Sequence, residues 1–173
     1  PSMATEFGGE LTVGNYGQMD VKAAIGGSFD ERDTLRGRIA VASLSRDGFG
    51  ENTRTNQDVS DKEILAVRGQ LGAYVTDDLN FQFAFDWMED QSGVRGARML
   101  SPNRFTPLYQ PMDDRYDVRN GMPNINDTTL QGISATANWR INDSWSMKFV
   151  TAKRESDTET NIDFDTLNNK IAD

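Results

Sequence analysis

The side chains best suited to chemistry in this sequence are arginines that fall close to aromatic rings. Between Asp90 and Asp127 lie Arg95, Arg98, Arg104, Arg115 and Arg119, together with Phe105, Tyr109 and Tyr116. A guanidinium carries a fixed charge and a planar fork of donors, and both it and an aromatic ring stack on flat groups. That combination suits recognition of a flat, anionic ligand. The same composition also describes a solvated surface loop, the commoner meaning of such a stretch.

Catalytic chemistry finds little to work with. The 173 residues contain no histidine and no cysteine, so neither a Ser-His-Asp nor a Cys-His triad can be assembled from them. The chain is read as no enzyme, and no disulfide or thiolate metal site is expected. Asp113 and Asp114, or Asp163 and Asp165, offer oxygen ligands. They lack the glycine and distal glutamate of a calcium loop, so no metal and no cofactor is assigned to them. A net charge of -9 argues against nucleic acid as a partner. The Asn-x-Ser/Thr matches at Asn126 and Asn142 are at chance level.

The elements that must position these residues are strands. From Leu79 to Trp87 the odd positions are Leu79, Phe81, Phe83, Phe85 and Trp87, and the even ones are Asn80, Gln82, Ala84 and Asp86. Successive side chains of a strand point to opposite faces, so one face is apolar and the other wet. The same alternation recurs at Phe7–Val13, Met19–Ile25, Leu35–Val41, Leu65–Val75, Ile133–Ile141 and Trp145–Phe149. The pattern predicts about seven antiparallel strands of about ten residues or more, the length a tilted strand needs to cross a bilayer. No unbroken apolar run long enough for a spanning helix is present.

Connection lengths alternate as well. Those near Phe29–Thr34, Thr76–Asp78 and Ile141–Ser144 are short, those near Arg46–Asp61 and Asp90–Asp127 are long, and another begins after Asp157. Outer-membrane barrels have tight turns on one side and extended loops on the other. The short turn at Asn15-Tyr16-Gly17 departs from that rule. Aromatic residues also gather toward strand ends, at Phe29, Trp87, Trp139 and Trp145, as in the girdles of a membrane barrel. A soluble β-sandwich is the alternative, although its strands are usually shorter and two sheets must share one core. The opening Pro1-Ser2-Met3 carries no signal peptide, and the chain is expected to be a piece of a longer protein.

On the face opposite the apolar one lie Lys22, Arg36, Arg38, Arg68, Arg140 and Lys148, with Asp20 and Asp86. Strand direction puts Arg46, Asp86 and Arg154 toward the long-loop rim. With Arg104, Tyr109, Arg115 and Tyr116 they form the candidate ligand-binding set.

Short motifs in fixed order resemble one family. Gly9-Glu10-Leu11-Thr12-Val13-Gly14-Asn15-Tyr16-Gly17-Gln18 resembles the first barrel hairpin of TonB-dependent receptors. Leu35-Arg36-Gly37-Arg38-Ile39-Ala40 resembles the strand after their first periplasmic turn. Arg46-Asp47-Gly48-Phe49 with Asn52 resembles the start of the next surface loop. Asp58-Val59-Ser60-Asp61-Lys62-Glu63, Arg68-Gly69 and Tyr74-Val75-Thr76-Asp77-Asp78-Leu79 are similar to the return strand and its turn, and Ile162-Asp163-Phe164-Asp165 to a surface-loop motif. The likeness is closest over residues 7 to 90.

The resemblance implies that residues 1–173 are part of the β-barrel domain of such a receptor, without its plug domain, TonB box or remaining strands. The expected fold is all-β, an antiparallel up-and-down meander of about seven long strands within a 22-stranded transmembrane barrel. The implied function is active import of a scarce ligand, foremost a ferric siderophore, across the outer membrane of a Gram-negative bacterium. The implied partners are outer-membrane lipid, the protein's own plug domain, and TonB through the absent N-terminal region. The six cations of the wet face would then look into the lumen and pair with plug carboxylates. A passive porin-like channel is the alternative function.

Overall fold

The computed structural model describes residues 1–101 and 110–163. Seven long strands form one antiparallel sheet: β1 (Glu6–Val13), β2 (Met19–Ser28), β3 (Leu35–Arg46), β6 (Lys62–Thr76), β7 (Leu79–Asp90), β8 (Asn126–Asn142) and β9 (Trp145–Thr160). Their spatial order is their chain order, a simple meander. Between β3 and β6 a small ribbon, β4 (Gly50–Asn52) with β5 (Gln57–Val59), interrupts what the sequence presents as plain loop. No described residue is helical. β1, at 8 residues, is shorter than expected, whereas β8 and β9 reach 17 and 16.

The register keeps odd residues beside odd ones across the whole sheet. One row runs Phe7, Ile25, Ile39, Gly69, Phe85, Ile133, Lys153, and the apolar faces of neighbouring strands therefore merge. Two positions escape the alternation. Register shifts at Tyr74/Thr76 and Arg140/Asn142 leave Val75 and Ile141 without a cross-strand partner beside the short turns. On β9 the alternation holds but the apolar character stops at Phe149, and Thr151, Lys153 and Glu155 occupy the same face above it.

Among the described residues no second layer covers the apolar face. Phe7 is 78% exposed, Ile133 60% and Phe83 48%, values incompatible with the shared core of a sandwich. The buried apolar side chains among the described residues, Val59 and Val118, both lie at the long-connection end and away from the seven-stranded sheet. The twisted sheet is hollowed on both faces, by about 840 Å³ beside Ile39, Phe85 and Ile133 and about 610 Å³ beside Ala40, Arg68 and Arg154.

The apolar stretch moves diagonally across the sheet. It is centred near Glu10 on β1 and near Met147 on β9. The row containing Glu10 passes through Lys22, Ala42, Ala66, Met88 and Leu130 and reaches β9 at Ser156, so the band falls nine residues over six strand-to-strand steps. At ~3.4 Å per residue and ~4.8 Å between strands, that slope is about 45°. Along β7 the band from Leu79 to Trp87 measures about 27 Å, or about 20 Å once tilted by that angle. Trp87 marks one margin, and Trp139 and Trp145 the other.

Candidate functional site

All long connections leave from one end of the sheet. Residues 47–61 and 91–125 join strands there, while the opposite end holds the short turns at 29–34, 77–78 and 143–144. The β1–β2 turn also lies at the long-connection end. Its two central residues, Tyr16 and Gly17, both have positive φ, near 60° and 62°, and Gln18 N–H donates to Asn15 O at 3.3 Å. This is the two-residue hairpin geometry that matches strand twist, so the hairpin can be tight where a long loop was expected.

That tight turn presents Tyr16 to the neighbouring connection. Its ring meets Phe49 edge-on at 5.1 Å, and Phe49 lies 6.0 Å from Tyr116. The Arg46 guanidinium stacks over Phe49 at 3.7 Å and donates to Ser60 O, and Arg115 lies over Tyr116 at 4.8 Å. Three aromatic rings from three connections and two arginines thus meet at the rim, and all three rings retain exposed surface. Of the expected ligand set, the structure brings together Arg46, Arg115 and Tyr116. Tyr16 and Phe49 join them, although the sequence marked them only as a turn residue and a surface-loop residue. Arg104 and Tyr109 lie outside the described residues, as do Phe105 and Asp165.

Asp86 and Arg154 belong elsewhere. They share an even-numbered row, Gly8, Ala24, Ala40, Arg68, Asp86, Gly132, Arg154, on the face opposite the apolar band. Arg154 Nη2 donates to Asp86 Oδ2 at 2.6 Å across the intervening β8. Glycine between them favours that bridge, since a Cβ on Gly132 would lie 3.1 Å from Asp86 Oδ2 and 3.2 Å from Arg154 Nε and would press on both side chains.

Most of the wet-face cations find partners within the sheet. Lys22 pairs with Glu10 at 2.9 Å, Arg38 approaches Glu6 at 3.9 Å, and Arg140 Nε donates to Asp78 at 2.6 Å. Arg36 stacks on Tyr74 at 3.9 Å and donates to Asp33 O, and Asp20 is held by Lys62 at 2.7 Å. Arg68 and Lys148 have no carboxylate at ion-pair distance among the described residues. The even-numbered face is also less polar than its charges suggest. Ala24, Ala40, Ala42, Ala66 and Ala84 lie on it, with Leu44, Ile64, Met88 and Leu130 near its upper end.

One aspartate of each acidic pair accepts a backbone N–H. Asp114 Oδ1 accepts from Tyr116 N–H at 2.8 Å, and Asp163 Oδ2 from Gly121 N–H at 2.8 Å. Asn142 caps its turn, accepting from Ser144 and Trp145 N–H, which is a structural use for that Asn-x-Ser match.

No known protein-family profile matches this sequence, and none of the curated proteins compared with it matches.

Proposed function

We propose that this chain is a stretch of a transmembrane β-barrel in the outer membrane of a Gram-negative bacterium, of the TonB-dependent receptor type, importing a ferric siderophore or a similarly scarce ligand. The observation that carries this reading is the uncovered apolar band and its slope of about 45°, close to the strand tilt of such barrels. A band about 20 Å tall with tryptophans at its margins approximates the apolar height of an outer-membrane wall, ~25 Å. The asymmetry of connections supports an outer rim of loops, and the arginine–aromatic cluster there has the chemistry to hold a flat anionic ligand.

The even-numbered face would look into the lumen. Its alanines and its apolar upper residues give a close-packing partner a surface to rest on, which a water-filled pore does not require. Pro1 lies over Gly72 on that same face, with its Cδ 3.6 Å from the position of a Cβ there. A plug domain preceding it would enter on the lumenal side, opposite Arg68 and Lys148.

A passive porin-like channel is the second reading, favoured by the cations that already find carboxylates within the sheet. Planar-bilayer recordings of the full-length protein separate the two, because a plugged importer is closed at rest and a porin conducts steadily. Arg115→Ala with Tyr116→Ala in the full-length protein should lower ferric-siderophore affinity about tenfold, the loss of one good charged or stacking contact. Unchanged affinity would remove this loop from the site, and recovery of the full-length protein as a detergent-independent soluble species would remove the membrane assignment altogether.

A further inference from the structure

We infer that the described parts of the connections at the long-loop end, residues 47–61, 91–101 and 110–125, form one cooperatively folded cap, whose bonds are lost together. Exposed connections ordinarily lack a core of their own. Here the buried apolar pair among the described residues joins two of them, Val59 from 47–61 and Val118 from 91–125, at 4% and 2% exposure. Asn52, 1% exposed, is bridged to Val118. Its side-chain amide donates to Asn120 O at 3.1 Å and Met122 O at 3.5 Å, while its oxygen accepts from Arg54 N–H at 3.0 Å. The backbones are paired as well. Asn52 and Val118 form a parallel bridge, with Val118 N–H on Glu51 O at 3.0 Å and Thr53 N–H on Val118 O at 2.9 Å.

Further bonds extend the unit. Asn124 Nδ2 donates to Asp58 O at 2.6 Å, and Ser60 N–H to Val94 O at 3.2 Å. The segment after β9 joins through Asp163 and through Asn161 N–H on Ile125 O at 2.9 Å. The β1–β2 turn joins through Tyr16 and through Asp47 N–H on Tyr16 O at 2.8 Å. The Asn52 amide, the Asn124 amide and Asp163 each serve a backbone group on another connection. Withdrawing one connection leaves polar atoms on its neighbour unsatisfied, and that shared penalty makes opening collective.

The test uses the full-length protein in detergent or vesicles and does not depend on what it transports. Asn52→Ala should raise the rate of proteolytic cutting in residues 53–56 and 110–125 together, about tenfold or more, while amide protection in β6 and β7 stays unchanged. Gly96→Ala is the reciprocal variant, because its Cβ would lie 2.7 Å from Val118 Cγ1. Placed on the other connection, it should expose 53–56 as well as its own segment. The sequence contains no cysteine, so Thr53→Cys with Arg119→Cys adds one oxidisable pair to this chain. Oxidation in the Asn52→Ala background should restore protection to both segments. Cutting confined to the mutated connection, or no change in either variant, would overturn the cooperative cap.

Discussion

Replacing Phe83 by arginine puts a charge at the middle of the apolar band, and the structure sets what that should cost. Phe83 stands between Leu71 on β6 and Ala135 on β8, two row positions from either end of the Leu79–Trp87 span. Its distance from each margin is about 13 Å along the strand, or about 10 Å after tilting. An arginine at mid-depth on the lipid face of a barrel costs about 2–4 kcal/mol, falling to about 0–1 near the interface. At 1.36 kcal/mol per factor of ten, Phe83→Arg should shift the folding equilibrium in vesicles by about 30- to 900-fold. Gln131→Arg, in the Trp87 row at the margin of the band, should shift it about fivefold or less. Ala84→Arg, on the opposite face beside Gln70 and Ser134, should show none of this dependence on membrane depth. The measurement is reversible denaturant unfolding of the full-length protein into lipid vesicles, repeated in bilayers of two thicknesses. Equal penalties for Phe83→Arg and Gln131→Arg would refute the diagonal band as a lipid contact.

Two further outcomes follow from single side chains. Gly132→Val should cost more than Arg154→Ala, because the exposed Asp86–Arg154 pair is worth no more than about 1 kcal/mol whereas the new side chain collides with both partners. Denaturant unfolding of the two singles and the double should show them less than additive. Asp30 organises the 29–34 turn, accepting from Thr34 Oγ1 at 2.6 Å and Leu35 N–H at 2.9 Å, and these bonds hold its carboxyl below the ordinary value of 3.8. A depressed carboxylate contributes stability that is complete above its unfolded pKa and is lost as pH falls through the folded one. Order in this turn, followed by the Leu35 and Thr34 amide resonances, should therefore hold from pH 7 to 5 and fail below about pH 4. Asp30→Asn should abolish that dependence on acid.

The strands were readable because one apolar and one wet face impose a period of two, and that signal is local. The seven-strand meander follows from it together with the short turns. What escaped depends on partners distant in sequence. Asn52 looks like any polar loop residue, and only the approach of Val118, 66 positions later, makes it a buried joint. Tyr16 and Phe49 read as a turn residue and a surface-loop residue until the hairpin geometry brings their rings together. The Asp86–Arg154 pair was visible as two rim charges, but its bridge is favoured by the gap at Gly132, which no spacing rule supplies.

The separation of the two kinds of core carries the strongest physical argument. Val59 and Val118 are buried in the connections, apart from the seven-stranded sheet. The larger apolar surface, from Phe7 to Phe149, is exposed, with no layer over it among the described residues. A water-exposed sheet of this width would not keep its aromatic and branched residues on one face at strict alternation, because that arrangement leaves the greatest apolar area in contact with solvent. Nor would a facing protein layer require the apolar stretch to slide nine residues from β1 to β9 across six strand-to-strand steps. A planar slab of hydrocarbon crossed by tilted strands, as proposed above, would require such a slope and would leave the connections beyond it to find their stability in their own bonds.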